Sequence, residues 1–183
     1  MSLNCEADDL LGIEQAKDPE TRIICTLDKD LRQVPGNHYS WEIRGTVNGK
    51  EWTRPEERLI VSPREGLFNF YWQMIMGDAS DNIFGYDGKA RQKVPKFLES
   101  MYNEMYEMET EEQLFNFVRE LYNEDARFFM NGQCLWIQRK ENDSWLENVK
   151  HLTGELGPKA VLTRSLLPPF EQVLDDGLQN TKP

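Results

Sequence analysis

The hydrophobic pattern of the first 61 residues predicts short strands that follow an N-terminal helix. Residues 8–17 begin with two Asp, which is typical of a first helical turn because the helix dipole favours anions there. The run TRIICTL (21–27) is short, apolar and β-branched, which favours a buried strand of a parallel sheet. Residues 38–61 alternate around Asn48-Gly49, and this dipeptide predicts a β-hairpin turn.

Capping signals predict helices in the second half of the chain. The stretch SPRE (62–65) is a capping box with Pro at the first helical position, and it predicts a helix that runs to Met76. After a loop over 77–88, a second helix is expected to start near Lys89 and to bend at Pro95.

The last third of the chain contains one more helix signal and one turn signal. Thr110 and Gln113 form a capping box ahead of LFNFVRELY. The segment RFFMNGQCLWIQRK predicts a second hairpin around Asn131-Gly132. After about residue 150 the period is lost, which indicates an irregular tail. The whole pattern predicts an α/β core followed by a mainly helical region.

Composition and charge restrict the classes of function. A chain of 183 residues with 39% hydrophobic residues can form one domain with a core. No apolar stretch approaches the roughly 20 residues of a membrane span, and the first residues are not typical of a signal peptide. Three widely spaced cysteines favour a reducing, cytoplasmic setting. The net charge of −11 argues against a nucleic-acid partner unless cations cluster locally or bound metal neutralises the acids.

Three acidic clusters, far apart in the sequence, carry the candidate chemistry. They are Glu6, Asp8 and Asp9; Asp28 and Asp30; and Asp78 and Asp81. In the first cluster, Glu6 and Asp9 are three residues apart and share a face of a helix. In the third, Asp78 and Asp81 are again three residues apart, at the end of a predicted helix. The second follows the predicted strand, at the end of a parallel sheet where ligands bind. Each cluster alone is equally compatible with a helix cap or an Asx turn.

Seven carboxylates gathered in one cleft would need positive charge among them. Oxygen-only donors suit Mg²⁺ or Mn²⁺, and two such ions about 4 Å apart form a site for phosphoryl transfer. Residues 78–89 do not fit an EF-hand, since Lys89 stands at its twelfth position. His38 and His151 are not in a ligand spacing, and no zinc motif is present.

A glycine loop and a basic segment follow the third acidic cluster. Gly85 and Gly88 permit positive φ and a close approach of the backbone to a phosphate. Lys89, Arg91 and Lys93 then bring positive charge with no acid among residues 88–98. This pattern indicates a grip on DNA phosphates beside a metal site; the alternative is a solvated basic face of a helical hairpin.

The motifs EADD, TLDKDL and MGDASDNIFGYDGKARQK, in this order, resemble the 5′-nuclease superfamily. That group contains flap endonucleases, the 5′-exonuclease domain of bacterial DNA polymerase I and phage 5′–3′ exonucleases, of which the phage enzymes are the most similar. The segment ELYNEDARFFMNGQCLWIQRK also resembles their C-terminal portion. The resemblance covers roughly residues 4–140.

The resemblance implies a fold, a site and its ions. Residues 1–60 would be the C-terminal portion of a PIN-like parallel-sheet core, 61–150 would contain a helix–three-turn–helix DNA-binding element at about 73–98, and 151–183 would be the tail. Two Mg²⁺ or Mn²⁺ ions would be held by Glu6, Asp8, Asp9, Asp28, Asp30, Asp78 and Asp81, of which the last four are catalytic. DNA would contact Gly85, Gly88, Lys89, Arg91 and Lys93, and the glycine loop would hold a monovalent cation such as K⁺. The third glycine of the family is replaced by Ala90.

The implied activity is that of a metal-dependent 5′–3′ exonuclease or flap nuclease that hydrolyses DNA phosphodiesters at a 5′ end, flap or nick. Its expected location is the cytoplasm of a bacterium or of a phage-infected host. The family's first Asp-bearing strand and its basic helical arch do not precede EADD, so we expect a fragment with weak or no activity of its own. The alternatives are a non-catalytic structure-specific DNA-binding module and an unrelated acidic interaction domain.

Overall fold

The computed structural model describes residues 6–91 and 93–153. Its helices are α1 (Ala7–Lys17), α2 (Pro63–Met76), α3 (Glu99–Tyr106), α4 (Glu111–Tyr122), α5 (Asp125–Leu135) and α6 (Trp145–Asn148), and 3₁₀ turns cover Asp30–Gln33, Lys96–Leu98 and Lys150–Leu152. The strands are β1 (Ile23–Cys25), β2 (Gly36–Ser40), β3 (Ile43–Val47), β4 (Lys50–Arg54), β5 (Glu57–Val61), β6 (Gly77–Asp78) and β7 (Ile83–Phe84).

A small mixed sheet with the strand order β1-β2-β5 forms one layer of the molecule. β1 runs parallel to β2, and β5 runs antiparallel to it. The α/β class is therefore confirmed, but the expected parallel sheet is limited to one pair of strands. The expectation that 21–27 forms a buried strand is also wrong in part, because β1 lies at an edge of the sheet and only Ile24 of its three residues is buried.

The β3–β4 hairpin extends from the far ends of β2 and β5 as a separate two-stranded sheet. Its turn residues Asn48 and Gly49 have φ values of 52° and 74°. Two successive positive φ values are required by a type I′ turn, which matches the twist of the flanking strands. The prediction from Asn48-Gly49 is confirmed.

Both capping boxes form as the sequence predicts. The Ser62 hydroxyl accepts a hydrogen bond from the Glu65 backbone N–H at 3.2 Å, and the Glu65 carboxylate accepts one from the Ser62 N–H at 2.8 Å. α2 then runs to Met76 and ends at Gly77, whose φ is 70°. Thr110 and Gln113 make the equivalent pair of bonds at the start of α4.

The helix expected near Lys89 is absent from the described part of this segment. The next helical turn starts at Lys96, and Pro95 precedes it in an extended conformation with ψ of 151°. A residue before proline is disfavoured in the helical region, so Pro95 precedes the start of a helical turn and does not bend a longer helix. The Lys89 carbonyl is also committed to the loop, since it accepts the Gly85 N–H at 2.9 Å.

The hairpin expected around Asn131-Gly132 is wrong, because both residues lie inside α5. Buried Asn131 donates to the Phe84 carbonyl at 2.6 Å and to the Tyr122 hydroxyl at 2.9 Å. A Cβ at position 132 would lie 2.1 Å from the Trp145 ring, so the glycine is needed for close packing. The dipeptide is fixed by tertiary contacts instead of by turn chemistry.

The main hydrophobic core lies among α2, α4 and α5. Its largest fully buried side chains are aromatic: Phe70, Tyr71, Phe115, Phe128, Phe129 and Trp145. A second cluster of Ile24, Leu31, Val34 and Ile137 joins the sheet to the segment that follows α5. This junction brings β1, the 3₁₀ turn at Asp30 and residues 135–138 together, and it thereby forms the floor of the candidate site.

Two remaining expectations concern the tail and the membrane. Of the predicted tail, residues 151–152 complete the 3₁₀ turn Lys150–Leu152, Thr153 follows it, and 154–183 lie outside the described residues. Among the helices of the described residues, none is both long enough and apolar enough to cross a membrane.

Candidate metal centre

Six of the seven predicted carboxylates line one open cavity of about 780 Å³. They are Glu6, Asp8, Asp9, Asp30, Asp78 and Asp81. The remaining walls are formed by Gln33, Gln73, Gln133, Cys134, Leu135, Trp136, Ile137 and Gln138. Three segments that are far apart in the sequence therefore meet at one place.

Each acidic segment reaches the cavity from the end of a different element. Asp8 and Asp9 lie in the first turn of α1, and Asp30 opens the 3₁₀ turn that follows β1. Asp78 lies in β6, directly after α2, and Asp81 lies in the turn between β6 and β7. The carboxylates therefore lie at the start of α1, after β1 and after α2, which are the ends of the predicted elements.

Asp28 is the one predicted ligand that does not line the cavity. Its carboxylate accepts a hydrogen bond from the Asp30 backbone N–H at 2.9 Å, which is the Asx-type contact that the sequence left open. Its charge still reaches the site, because it contributes to the raised pKa of both Asp8 and Asp30. Asp28 therefore lies beside the cavity and shapes the turn that carries Asp30.

The carboxylates of the site disfavour one another's ionisation. Burial is the largest cause that raises the pKa of Asp30, to about 7, and the charges of Asp28 and Asp78 add to it. Burial also raises the pKa of Asp8, and the charges of Asp28 and Asp9 act in the same direction. Asp30 therefore binds a proton at a higher pH than an ordinary aspartate does.

The pKa of Asp78 is shifted in the opposite direction from that of Asp30. Burial raises its pKa, but hydrogen bonds outweigh burial and the net pKa is lowered. The Ser80 backbone N–H and hydroxyl donate to one carboxylate oxygen at 2.7 and 2.5 Å. Asp30 also hydrogen-bonds to Asp78, which lowers the pKa of Asp78 and raises that of Asp30. The proton of this pair therefore belongs to Asp30.

Two hydrogen bonds from Gln138, which the sequence did not indicate, hold the Asp9 carboxylate. One carboxylate oxygen accepts the Gln138 backbone N–H at 2.9 Å, and the other accepts the Gln138 side-chain amide at 3.0 Å. Bonds to both oxygens fix the rotation of the carboxylate. Gln138 is 129 residues away in the sequence, so no local pattern could indicate this contact.

The oxygen donors of the cavity are of the type that binds hard divalent cations, but the described side chains are not close enough together to form a complete site. All the acidic groups supply oxygen, the ligand type that Mg²⁺ and Mn²⁺ prefer. Within residues 6–91 and 93–153, no group of three or more His, Cys, Asp or Glu side chains is arranged so that it could hold an ion. No Lys or Arg of the same residues lines the large cavity.

The loop over 77–88 is a compact structure beside the acidic cavity. β6 pairs with β7, so that Gly77 lies opposite Phe84 and Asp78 opposite Ile83. Gly88 has a φ of 74°, as the predicted glycine loop requires. A Cβ at Gly85 would lie 2.1 Å from the Ile75 carbonyl oxygen, so this buried glycine serves close packing against the end of α2.

The predicted DNA-binding residues have different environments. Lys89 and Lys93 are exposed, and Gly88 lies on the surface between them and Asp87. The buried Gly85 donates its N–H to the Lys89 carbonyl, so this amide is already occupied within the loop. Arg91 forms a bidentate ion pair with Asp87, and only 11% of its side chain is exposed. The part of Arg91 in DNA binding stays a prediction, while its pairing within the loop is a finding.

Two polar residues of α5, which sequence reasoning missed, anchor this loop. Arg127 donates to the Tyr86 carbonyl at 2.6 Å, and Asn131 donates to the Phe84 carbonyl at 2.6 Å. They are four residues apart and therefore lie on one face of the helix. The available sequence signal was the spacing of Arg127 and Asn131, four residues apart on either side of Phe128 and Phe129.

No protein-family model, no curated protein and no solved structure matches this chain.

Proposed function

We propose that this protein is a metal-dependent nuclease that hydrolyses phosphodiesters of DNA at a 5′ end, flap or nick. The observation that carries the proposal is the meeting of six carboxylates from three distant segments around one cavity. The sequence resemblance to the 5′-nuclease superfamily, which is carried largely by the same acidic motifs, agrees with it. A PIN-like core, and a helix–three-turn–helix element over 73–98, are the finer parts of the same proposal.

The residues that would hold the ions are the six that line the cavity, with Asp28 supporting Asp30 from outside it. Bound divalent cations would supply a Lewis acid and a water of lowered pKa. Asp78 is ionised near neutral pH and held by Ser80, so it is ready to act as a ligand. Asp30 must first lose its proton, and its pKa of about 7 makes metal binding stronger as the pH rises through neutrality.

The DNA would be gripped next to the cavity by the loop over 77–88 and the lysines that follow it. Lys89 and Lys93 are exposed, and their ammonium groups can contact phosphate oxygens. Arg91 and Asp87 neutralise each other and hold the loop in shape. This division of roles brings positive charge to the DNA backbone while the carboxylates remain inside the cavity.

The experiment is single-turnover cleavage of a 5′-labelled duplex that carries a nick or a flap, with Mg²⁺ or Mn²⁺. We expect slow cleavage, in line with the weak activity expected from the sequence, that stops when the metal is chelated and is lost in the Asp78→Ala variant. Glu120→Gln is the matched control, since Glu120 is an exposed carboxylate of α4 that does not line the cavity. Metal-independent cleavage, or equal loss in both variants, would contradict the proposal.

A second function, that of a non-catalytic DNA-binding module, is favoured by one observation. No Lys or Arg of residues 6–91 and 93–153 lines the large cavity, and Arg91, which lines a smaller pocket with Asp30 and Asp78, is paired with Asp87. The two functions separate in the same experiment. Structure-specific duplex binding without cleavage at any Mg²⁺ or Mn²⁺ concentration supports the module and rejects the nuclease.

A further inference from the structure

A buried glutamine connects the three acidic segments of the cavity. The side chain of Gln33 is 1% exposed, and it lies at the end of the 3₁₀ turn that begins with Asp30. Its amide nitrogen donates to the Leu135 carbonyl at 2.9 Å, and its amide oxygen accepts the Ile137 N–H at 3.0 Å. The Gln33 side chain thus pairs with the segment after α5 as a neighbouring strand would.

The orientation of this amide is determined by its partners. A backbone N–H can only donate and a carbonyl can only accept, so Gln33 has one arrangement that satisfies both of them. Its backbone carbonyl also accepts a hydrogen bond from Arg139 at 2.7 Å. The segment 135–139 is therefore held against the Asp30 turn by three bonds to a single residue.

The same segment continues to the first acidic cluster. One residue past Ile137, Gln138 clamps both carboxylate oxygens of Asp9. The separation of Asp9 and Asp30 across the cavity is accordingly set through the short path Gln33–Ile137–Gln138. Both ends of that path are bonds to side chains, so neither end depends on the pairing of regular strands.

The third acidic segment is reached through Gln73. The Gln33 amide nitrogen lies 3.4 Å from the Gln73 side-chain oxygen, at the long limit of a hydrogen bond. Gln73 lies in the last turn of α2, and its carbonyl accepts the N–H of Gly77, the residue before Asp78. The Gln33 side chain therefore contacts α2, which leads to Asp78, and the segment 135–137, whose next residue Gln138 holds Asp9.

We infer that Gln33 is a positioning residue for the metal ligands: it sets the separation of Asp9, Asp30 and Asp78 and so the affinity for divalent cations. The inference rests on the proposed function, because it assumes that these carboxylates bind metal. A ligand whose support is removed loses affinity through misplacement, and partners that orient metal ligands are worth about 10- to 100-fold in affinity.

The experiment measures Mn²⁺ binding to the protein alone, by titration followed with electron paramagnetic resonance. Gln33→Met keeps the length of the side chain and removes its hydrogen bonds. We expect the Kd for Mn²⁺ to rise about 10-fold, with a changed spectrum of the bound ion. Gln15→Met is the matched control, because Gln15 is also a buried glutamine, 2% exposed, but its amide donates to the Asn37 carbonyl away from the cavity.

Three outcomes decide the inference. A folded Gln33→Met variant with Mn²⁺ affinity within twofold of wild type overturns it. An equal loss in Gln15→Met also overturns it, since the effect would then be general loosening of the structure. Failure of the wild-type protein to bind Mn²⁺ at millimolar concentration overturns the proposed function together with the inference, and it is recognised before any variant is made.

A second variant serves if Gln33→Met does not fold. Gln138→Met removes only the side-chain bond to Asp9 and leaves the backbone bond in place. We expect its Kd for Mn²⁺ to rise about threefold or more, with thermal stability close to wild type. Unchanged affinity in this variant would overturn the path from Gln33 to Asp9.

Discussion

At the scale of the residue, the raised pKa of Asp30 reflects burial and neighbouring carboxylates in a cavity that no described Lys or Arg lines. The group is half-buried and lies near two other carboxylates, and each of these conditions disfavours its charge. A raised pKa in the folded state means that ionisation opposes folding above the ordinary pKa of an aspartate. Asp30 therefore costs stability at neutral pH in the absence of metal.

Replacing Asp30 by Asn should stabilise the protein at pH 8 in the presence of a chelator. The wild type loses stability as the pH rises from 3.8, the ordinary pKa, to about 7, the folded value, whereas Asn does not titrate. Because solvent screens a half-buried group, we expect a gain of about 1–2 kcal/mol, less than the full shift implies. Urea unfolding at pH 5 and pH 8 measures it.

The control for this variant is Glu120→Gln, which should change the stability little at either pH. The gain from Asp30→Asn should be smaller at pH 5 than at pH 8, because the folded wild type then carries a proton on Asp30. A gain independent of pH would show that repulsion among the carboxylates is not its cause.

At the scale of the element, local signals succeeded where both partners lie within one turn. The capping boxes at 62–65 and 110–113 were predictable, since each consists of a residue and the third one after it. Asn131-Gly132 misled because its partners are Phe84 and Trp145, which sequence proximity does not reveal. The helix expected at Lys89 failed because the loop uses the backbone of that segment for its own hydrogen bonds.

The loop over 77–88 should tolerate an added methyl group at Gly88 better than at Gly85. A Cβ at Gly85 would overlap the Ile75 carbonyl, whereas one at Gly88 has only the Arg127 side chain at 4.0 Å. We expect Gly85→Ala to cost about 1–3 kcal/mol of unfolding free energy. Gly88→Ala should cost about 1 kcal/mol, for its positive φ.

Thermal and chemical unfolding of the two glycine variants measures these losses side by side. Equal costs would mean that the loop does not pack against the end of α2 as described. A larger cost for Gly88→Ala would reverse the assignment of the tight contact.

Lys89 and Lys93 should each contribute one phosphate contact to duplex binding. Replacing either by Ala should weaken binding and reduce the slope of log K against log salt by about 1. Lys50→Ala is the matched control, since Lys50 is an exposed lysine at the turn of the β3–β4 hairpin. Fluorescence anisotropy at several salt concentrations provides the slopes, and unchanged slopes for both loop variants would place the DNA elsewhere.

At the scale of the whole molecule, the expectation that the acidic clusters meet came from the order of their motifs and the family resemblance. Residue types and places at the ends of predicted elements left a cap or turn reading open for each cluster. The supports of the site were not predictable, because Gln33 bonds to residues 102 and 104 positions away. The antiparallel strand of the sheet was also missed. The direction of β5 is set by the β3–β4 hairpin that connects it to β2, and not by the residues of β5.

If Mg²⁺ binds the folded cavity as proposed, and not the unfolded chain, it should raise the melting temperature of the protein by mass action. At 100 times the Kd the gain corresponds to about 2.7 kcal/mol of unfolding free energy. The shift should be larger at pH 8 than at pH 6, since Asp30 has to lose its proton. Differential scanning fluorimetry measures it, with NaCl of equal ionic strength as the control, and an equal shift in NaCl would indicate screening only.

The amides of Ile137 and Gln138 donate to the side chains of Gln33 and Asp9, outside any helix or sheet ladder. Their hydrogens can therefore exchange with deuterium only when those particular contacts open, and not when a neighbouring strand frays. The exchange rates of the Ile137 and Gln138 amides therefore report whether the contacts to Gln33 and Asp9 are intact. Their exchange rates can be followed by NMR in the unmodified protein, with no DNA and no label near the cavity.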